Sequence, residues 1–119
     1  MRTKSVTLQK LVTLFGPNAT DEVAQRIEFS VDVSKFRKAV VKFQVINLDN
    51  VDLYLQTVRV KEKKYWRNTK TVSAVGTPTV VLTRDAGLTS EFMENFLRWR
   101  LAANGANWRI TFRVQLFLK

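Results

Sequence analysis

Neither cysteine nor histidine occurs in this sequence. The first absence removes disulfides and thiolate metal sites. The second removes the usual general base and the commonest transition-metal ligand. The four glycines, Gly16, Gly76, Gly87 and Gly105, stand apart from one another, so no glycine-rich loop is available to cradle a phosphate. Only two prolines occur, and there is no low-complexity tract, internal repeat or linker. No apolar run approaches the ~18 residues of a membrane-spanning helix, and the first ten residues lack the continuous hydrophobic region of a signal peptide. These absences predict a single domain over residues 1–119, with an N-terminal strand and loop over 1–22 and the main body over 23–119. They also predict cytoplasmic synthesis and no cofactor.

The ten carboxylates are dispersed. Glu91 and Glu94 are three apart and read most simply as the solvated first turn of a short helix within 88–95, capped by Ser90. Asp49 and Asp52 flank a turn. No nucleophile–base pair can be assembled from these residues, and an enzyme is not expected.

What is present in excess is positive charge. Twenty Lys and Arg against ten Asp and Glu give a formal charge of +10 and a pI near 10.4. Such an excess favours a nucleic acid, an acidic lipid surface or an acidic protein partner. The apolar fraction of 45% is enough for a real core.

The apolar residues recur with a period of two, the signature of strands. The pattern is cleanest near the C-terminus. Trp108, Ile110, Phe112, Val114, Leu116 and Leu118 share one face, and Arg109, Thr111, Arg113, Gln115 and Lys119 the other. Leu97, Trp99 and Leu101 likewise oppose Arg98 and Arg100. The intervening Asn104-Gly105-Ala106-Asn107 predicts a hairpin pairing Leu101 with Trp108, Trp99 with Ile110 and Leu97 with Phe112. That pairing would gather Arg98, Arg100, Arg109 and Arg113 on one face with Phe117, a candidate interface whose charges need acids, aromatic faces or a polyanion against them. Further strands are predicted over 4–15, with a bulge where the alternation shifts, and over 24–33, 39–48, 51–60, 70–75 and 78–83. The expected core is Ile27, Phe29, Val31, Phe43, Leu53, Leu55, Trp99, Ile110, Phe112 and Val114. Seven or eight short strands with at most one short helix predict an all-β, antiparallel, jelly-roll-like sandwich.

The second candidate site is the stretch from Arg59 to Lys70, read as a loop or long hairpin tip. Arg59, Lys61, Lys63, Lys64, Arg67 and Lys70 interleave with Tyr65 and Trp66, a mixture that can pair phosphates and stack on bases or sugars. The plainer reading is a solvated loop whose Trp66 folds back onto the sandwich.

Leu55-Gln56-Thr57, Tyr65-Trp66 and Phe96-Leu97-Arg98-Trp99 together resemble the discoidin, or galactose-binding-like, jelly rolls across roughly residues 25–118. That resemblance implies an eight-stranded sandwich with a binding or adhesion role. The terminal cysteines many such domains carry are missing here, and the loop is unusually basic where those domains often bind sugar. Small jelly rolls of this length also resemble virion and phage accessory proteins, which assemble through their faces and edges. The expected function is therefore a non-enzymatic structural subunit, incorporated in a virion, forming a homo-oligomer or larger assembly. Its partner would be an acidic protein surface or nucleic acid. The alternatives are a nucleic-acid-binding module using the basic aromatic loop and a carbohydrate-binding domain using Trp66 or Tyr65.

Overall fold

The computed structural model describes residues 3–60, 65–84 and 92–119. Its strands are β1 (Lys4–Gly16), β2 (Glu22–Ala24), β3 (Val31–Asp32), β4 (Lys38–Asp49), β5 (Val51–Val58), β6 (Arg67–Val72), β7 (Thr79–Thr83), β8 (Phe96–Ala103) and β9 (Trp108–Leu118). They form two antiparallel sheets. One has the order β1-β9-β4-β7, and the other the order β2-β8-β5-β6 with β3 also on β8.

The pairings are nested. β1 lies on β9, β2 and β3 on β8, β4 on β7, and β5 on β6. The chain is thus one long antiparallel ribbon, folded in half between β5 and β6. Rolling that ribbon adds the β4–β9 and β5–β8 contacts. This wrapping is a jelly roll. Because β2 and β3 share one partner, they act as a single interrupted strand, and the nine segments fill eight positions.

The core lies between the sheets. Val41, Phe43 and Val45 of β4, Leu53 and Leu55 of β5, Leu97, Trp99 and Leu101 of β8, and Ile110, Phe112, Val114 and Leu116 of β9 are all buried. Trp99 meets Phe112 edge-to-face across the gap, with ring centroids 5.3 Å apart, the geometry aromatic quadrupoles favour.

The period-two reading located most strands but misplaced the C-terminal pairing. Residues 96–101 and 108–118 are not hairpin partners: β8 and β9 lie in different sheets, and their apolar faces meet across the core. Alternation specifies which residues face inward; it does not specify whether two inward faces are side by side or stacked.

The expected strand over 24–33 is also broken. A 3-10 turn spans Ile27–Phe29, closed by Ser30, whose backbone N–H and hydroxyl both donate to the Ile27 carbonyl. Ile27 and Phe29 are consequently 37% and 63% exposed and not core, and Val31 is only partly buried; of the apolar residues expected inside, Val33 is the one sealed in. The turn expected over 47–50 reduces to Asn50, in the left-handed region at φ 55, because Asn47 to Asp49 still belong to β4. Strand β6 begins at Arg67, three residues before the expected start, which shortens the basic loop. The helical turn expected within 88–95, with its Ser90 cap and Glu91, lies mostly outside the described residues.

The bulge foreseen in β1 is present. Register shifts fall between Thr7 and Gln9 and between Gln9 and Val12. Lys10 and Leu11 together stand opposite Arg113, two residues against one. Among the described residues, no helix is long and apolar enough to cross a membrane.

Candidate functional site

The split of β8 from β9 divides the four arginines expected together. Arg98 and Arg100 are on the outward face of the β2-β8-β5-β6 sheet. Arg109 and Arg113 are on the outward face of the β1-β9-β4-β7 sheet, with Phe117.

On the first of these faces the charges are answered within the molecule. Arg98 stands opposite Gln56 in the ladder and donates through Nε to Gln56 Oε1 at 2.9 Å; Gln56 Nε2 in turn donates to Asn68 Oδ1 at 2.9 Å. The Trp66 ring covers the Arg98 guanidinium at 4.4 Å. Burial, and secondarily the charge of Arg100, lowers the Arg98 pKa from its ordinary value. Arg100 stands opposite Tyr54, lies 5.5 Å from its ring, and pairs with Glu22 from β2. Two like charges two residues apart are thus held by one carboxylate, two aromatic faces and an amide.

The basic loop is only partly described. Lys61, Lys63 and Lys64 lie outside the described residues. Arg59 is exposed, and Tyr65 is 83% exposed at the start of the segment that leads into β6. Trp66 folds back onto the sheet. Arg67 pairs with Glu94 at 3.2 Å and lies over the Phe92 ring at 4.5 Å. Lys70, half-buried in β6, faces Leu55 in the register. Trp66, Arg67 and Lys70 are therefore part of the sandwich.

The opposite face is differently composed. In ladder order its rows hold Lys38 beside Thr83; Ser5, Phe117, Val40 and Val81; Thr7, Gln115, Lys42 and Thr79; Arg113 and Gln44; Thr13, Thr111 and Asn47; and Phe15, Arg109 and Asp49. Thr13 and Thr111 share a 2.8 Å hydroxyl bond, and Asn47 reaches the same Thr111 oxygen at 3.4 Å. Lys42 lies 5.0 Å above the Phe117 ring. Leu11 and Ile46 are exposed, and Phe15 is 76% exposed. Beside Phe15, an open groove of about 660 Å³ is lined by Thr13, Gly16, Pro17, Asn107, Trp108 and Arg109. Its floor is fixed by the Trp108 indole, which donates to Asp21 Oδ2 at 2.9 Å. That bond, with a further one from Asn18, holds the Asp21 carboxyl below its usual range.

Two positions that sequence reasoning passed over hold the framework together. Gln25, at a position where alternation would put an apolar side chain, is buried; its Nε2 donates to the Leu8 carbonyl at 2.8 Å and its Oε1 accepts from Trp99 N–H. Arg84, after β7, donates through Nε to the Phe36 carbonyl at 2.6 Å, through Nη1 to Asn95 Oδ1 at 3.1 Å, and through Nη2 to the Val33 carbonyl. Neither has a sequence signature, since a lone Gln or Arg in a basic chain reads as surface. Among the described residues, no group of three or more carboxylates is placed to hold a metal ion.

No family model and no curated protein matches this chain. Among solved structures it is similar to a protein of Bacillus endospore appendages, described as a novel family of disulfide-linked pili. The likeness covers 100% of this chain and 91% of that one, with a TM-score of 0.49 and 10% sequence identity. This chain has no cysteine and forms no disulfide.

Proposed function

We propose that this protein is a non-enzymatic structural subunit that associates with copies of itself through the outward face of the β1-β9-β4-β7 sheet. The observation that carries this reading is the exposed apolar end of that face. Leu11, Phe15 and Ile46 stand in water there. Apolar side chains gathered on one surface mark an interaction site. Phe15 projects beside an open groove on the same surface, so a two-fold arrangement would place each Phe15 in the other copy's groove.

The finer form of the proposal is a virion component. Jelly rolls serve as capsid domains, and a strongly basic subunit is suited to enclosing a polyanion. The carbohydrate reading has less support, because one face of Trp66 is already occupied by Arg98. The basic-loop reading loses Trp66 as a free stacking platform for the same reason.

The test is light scattering coupled to size exclusion, reading absorbance at 260 and 280 nm. The wild-type chain is expected to elute as a multimer. The Leu11→Ser, Phe15→Ser double variant should elute as a monomer with an unchanged circular-dichroism spectrum. A wild-type chain that stays monomeric at its highest soluble concentration overturns the proposal.

A further inference from the structure

The two outward faces differ in charge. On the β2-β8-β5-β6 sheet, Arg98 and Arg100 share their face with Glu22, Asp32 and Asp52. On the strands of the β1-β9-β4-β7 sheet, Lys10, Lys38, Lys42, Arg109 and Arg113 share theirs with one side-chain carboxylate, Asp49, which stands opposite Arg109 at the far end.

The remaining four cations form a diagonal band. Lys10, in the β1 bulge, stands across from Arg113 on β9. Arg113 is the diagonal neighbour of Lys42 on β4, about 7–8 Å away in such a ladder. Lys38 follows on the same strand, roughly 13 Å further. None of the four has an ion-pair partner among the described residues. Like charges directly opposed on a sheet are destabilising, so the band is an arrangement that folding alone does not favour. Between its members lie neutral hydrogen-bonding groups, Gln44, Gln115, Thr7 and Thr79, and the Phe117 ring beneath Lys42.

We propose that this band, Lys10–Arg113–Lys42–Lys38, is a binding track for the phosphate backbone of a single-stranded nucleic acid. Charge complementarity selects a polyanion. Single cations spaced along a line, with neutral amides and hydroxyls between them, suit a strand of evenly spaced phosphates that carries hydrogen-bonding bases. The track is distinct from the basic loop at 59–66. It lies on the same sheet face as the proposed self-association surface, with Leu11 beside Lys10 opposite Arg113, so binding is also measured where assembly has been removed.

The experiment is fluorescence anisotropy of a labelled single-stranded DNA oligomer across a salt series. It uses the full chain, and it is repeated in the Leu11→Ser, Phe15→Ser background to remove any effect of assembly. Four phosphate contacts predict a slope of log affinity against log salt of about −2.8. The Lys42→Gln, Arg113→Gln double variant should reduce it to about −1.4. The charge-conserving Lys42→Arg, Arg113→Lys variant should restore it, which excludes a folding defect. An unchanged slope in the glutamine double variant overturns the assignment, as does a slope flattened instead by Lys63→Gln, Lys64→Gln. Poly-glutamate that competes as well as DNA, charge for charge, would make the partner an acidic protein and overturn it too.

Discussion

Gln25 behaves as a piece of backbone. Its amide makes both ends of a bridge, to Leu8 in one sheet and Trp99 in the other, at a margin where the two sheets have no ladder between them. Gln25→Ala leaves the buried Leu8 carbonyl and Trp99 N–H without that partner, and a loss of about 1–3 kcal/mol is expected from urea unfolding. Arg84 is a second such anchor. Lys in its place keeps the charge but loses the planar fork that reaches Phe36, Asn95 and Val33 together. Arg84→Lys should therefore shift the urea midpoint almost as far as Arg84→Ala; full retention of stability in the lysine variant would mean that charge alone matters. Asp21 makes a pH-dependent contribution. Its carboxyl is held below the ordinary value near 3.8, chiefly by the Trp108 indole. The folded state thus gains stability that is fully present above that value and lost as pH falls through the lower folded one. Asp21→Asn should flatten the acid limb of a stability–pH profile and leave the neutral region unaltered in shape. Gly16 belongs to the same contact. A Cβ there would lie 2.6 Å from Asp21 Oδ2 and 2.7 Å from Trp108 Nε1, so Gly16→Ala is expected to break the bond and remove the same acid-limb dependence.

At the scale of elements, the stacked β8 and β9 explain where stability is concentrated. Phe112 is fully buried and receives Trp99 from the opposite sheet. Phe112→Ala should cost about 3–5 kcal/mol in equilibrium unfolding, whereas the same change at Phe29, exposed beside its 3-10 turn, should cost little. This contrast also measures what could be read from the chain. The alternations in 39–48, 51–60 and 108–118 were legible because burial on one face imposes them, though the second strand stops at Val58, and the bulge in β1 was legible as a break in that rhythm. Residues 24–33 carry an equally good alternation and yet break, because the Ser30 bonds to Ile27 and the Gln25 bridge outweigh it. Partner choice was not legible at all. A two-residue period states which way a side chain points, and the turn at 104–107 is compatible with either a hairpin or a crossing between sheets. For that reason the arginines were grouped wrongly, and Lys10, Lys38 and Lys42, each unremarkable alone, were not grouped with Arg113.

At the scale of the whole molecule, net charge and topology set the behaviour. Copies carrying +10 repel one another, and the repulsion is screened as the Debye length falls from about 10 Å at 0.1 M salt to about 3 Å at 1 M. Self-association through the apolar end should strengthen with salt, while nucleic-acid binding weakens. Sedimentation velocity and anisotropy over one salt series should therefore move in opposite directions; parallel trends would tie both to one surface. The nested ribbon also requires β1 to find β9, the full length of the chain apart, before its outer pairs close. Such topologies fold in milliseconds to seconds, and a stopped-flow refolding time in that range is expected.

Lys4 is paired with Leu118, and the first and last strands run side by side to their ends. The two ends of the described chain therefore leave from one corner, next to Lys38. Joining them with a short linker and reopening the chain at 73–78 should give a circular permutant with the same two sheets, since the ladder at that corner already does the work of a covalent link. Cargo fused at either end would emerge from this same corner, so N- and C-terminal fusions should be interchangeable in where they place a reporter and alike in how far they overhang the basic band.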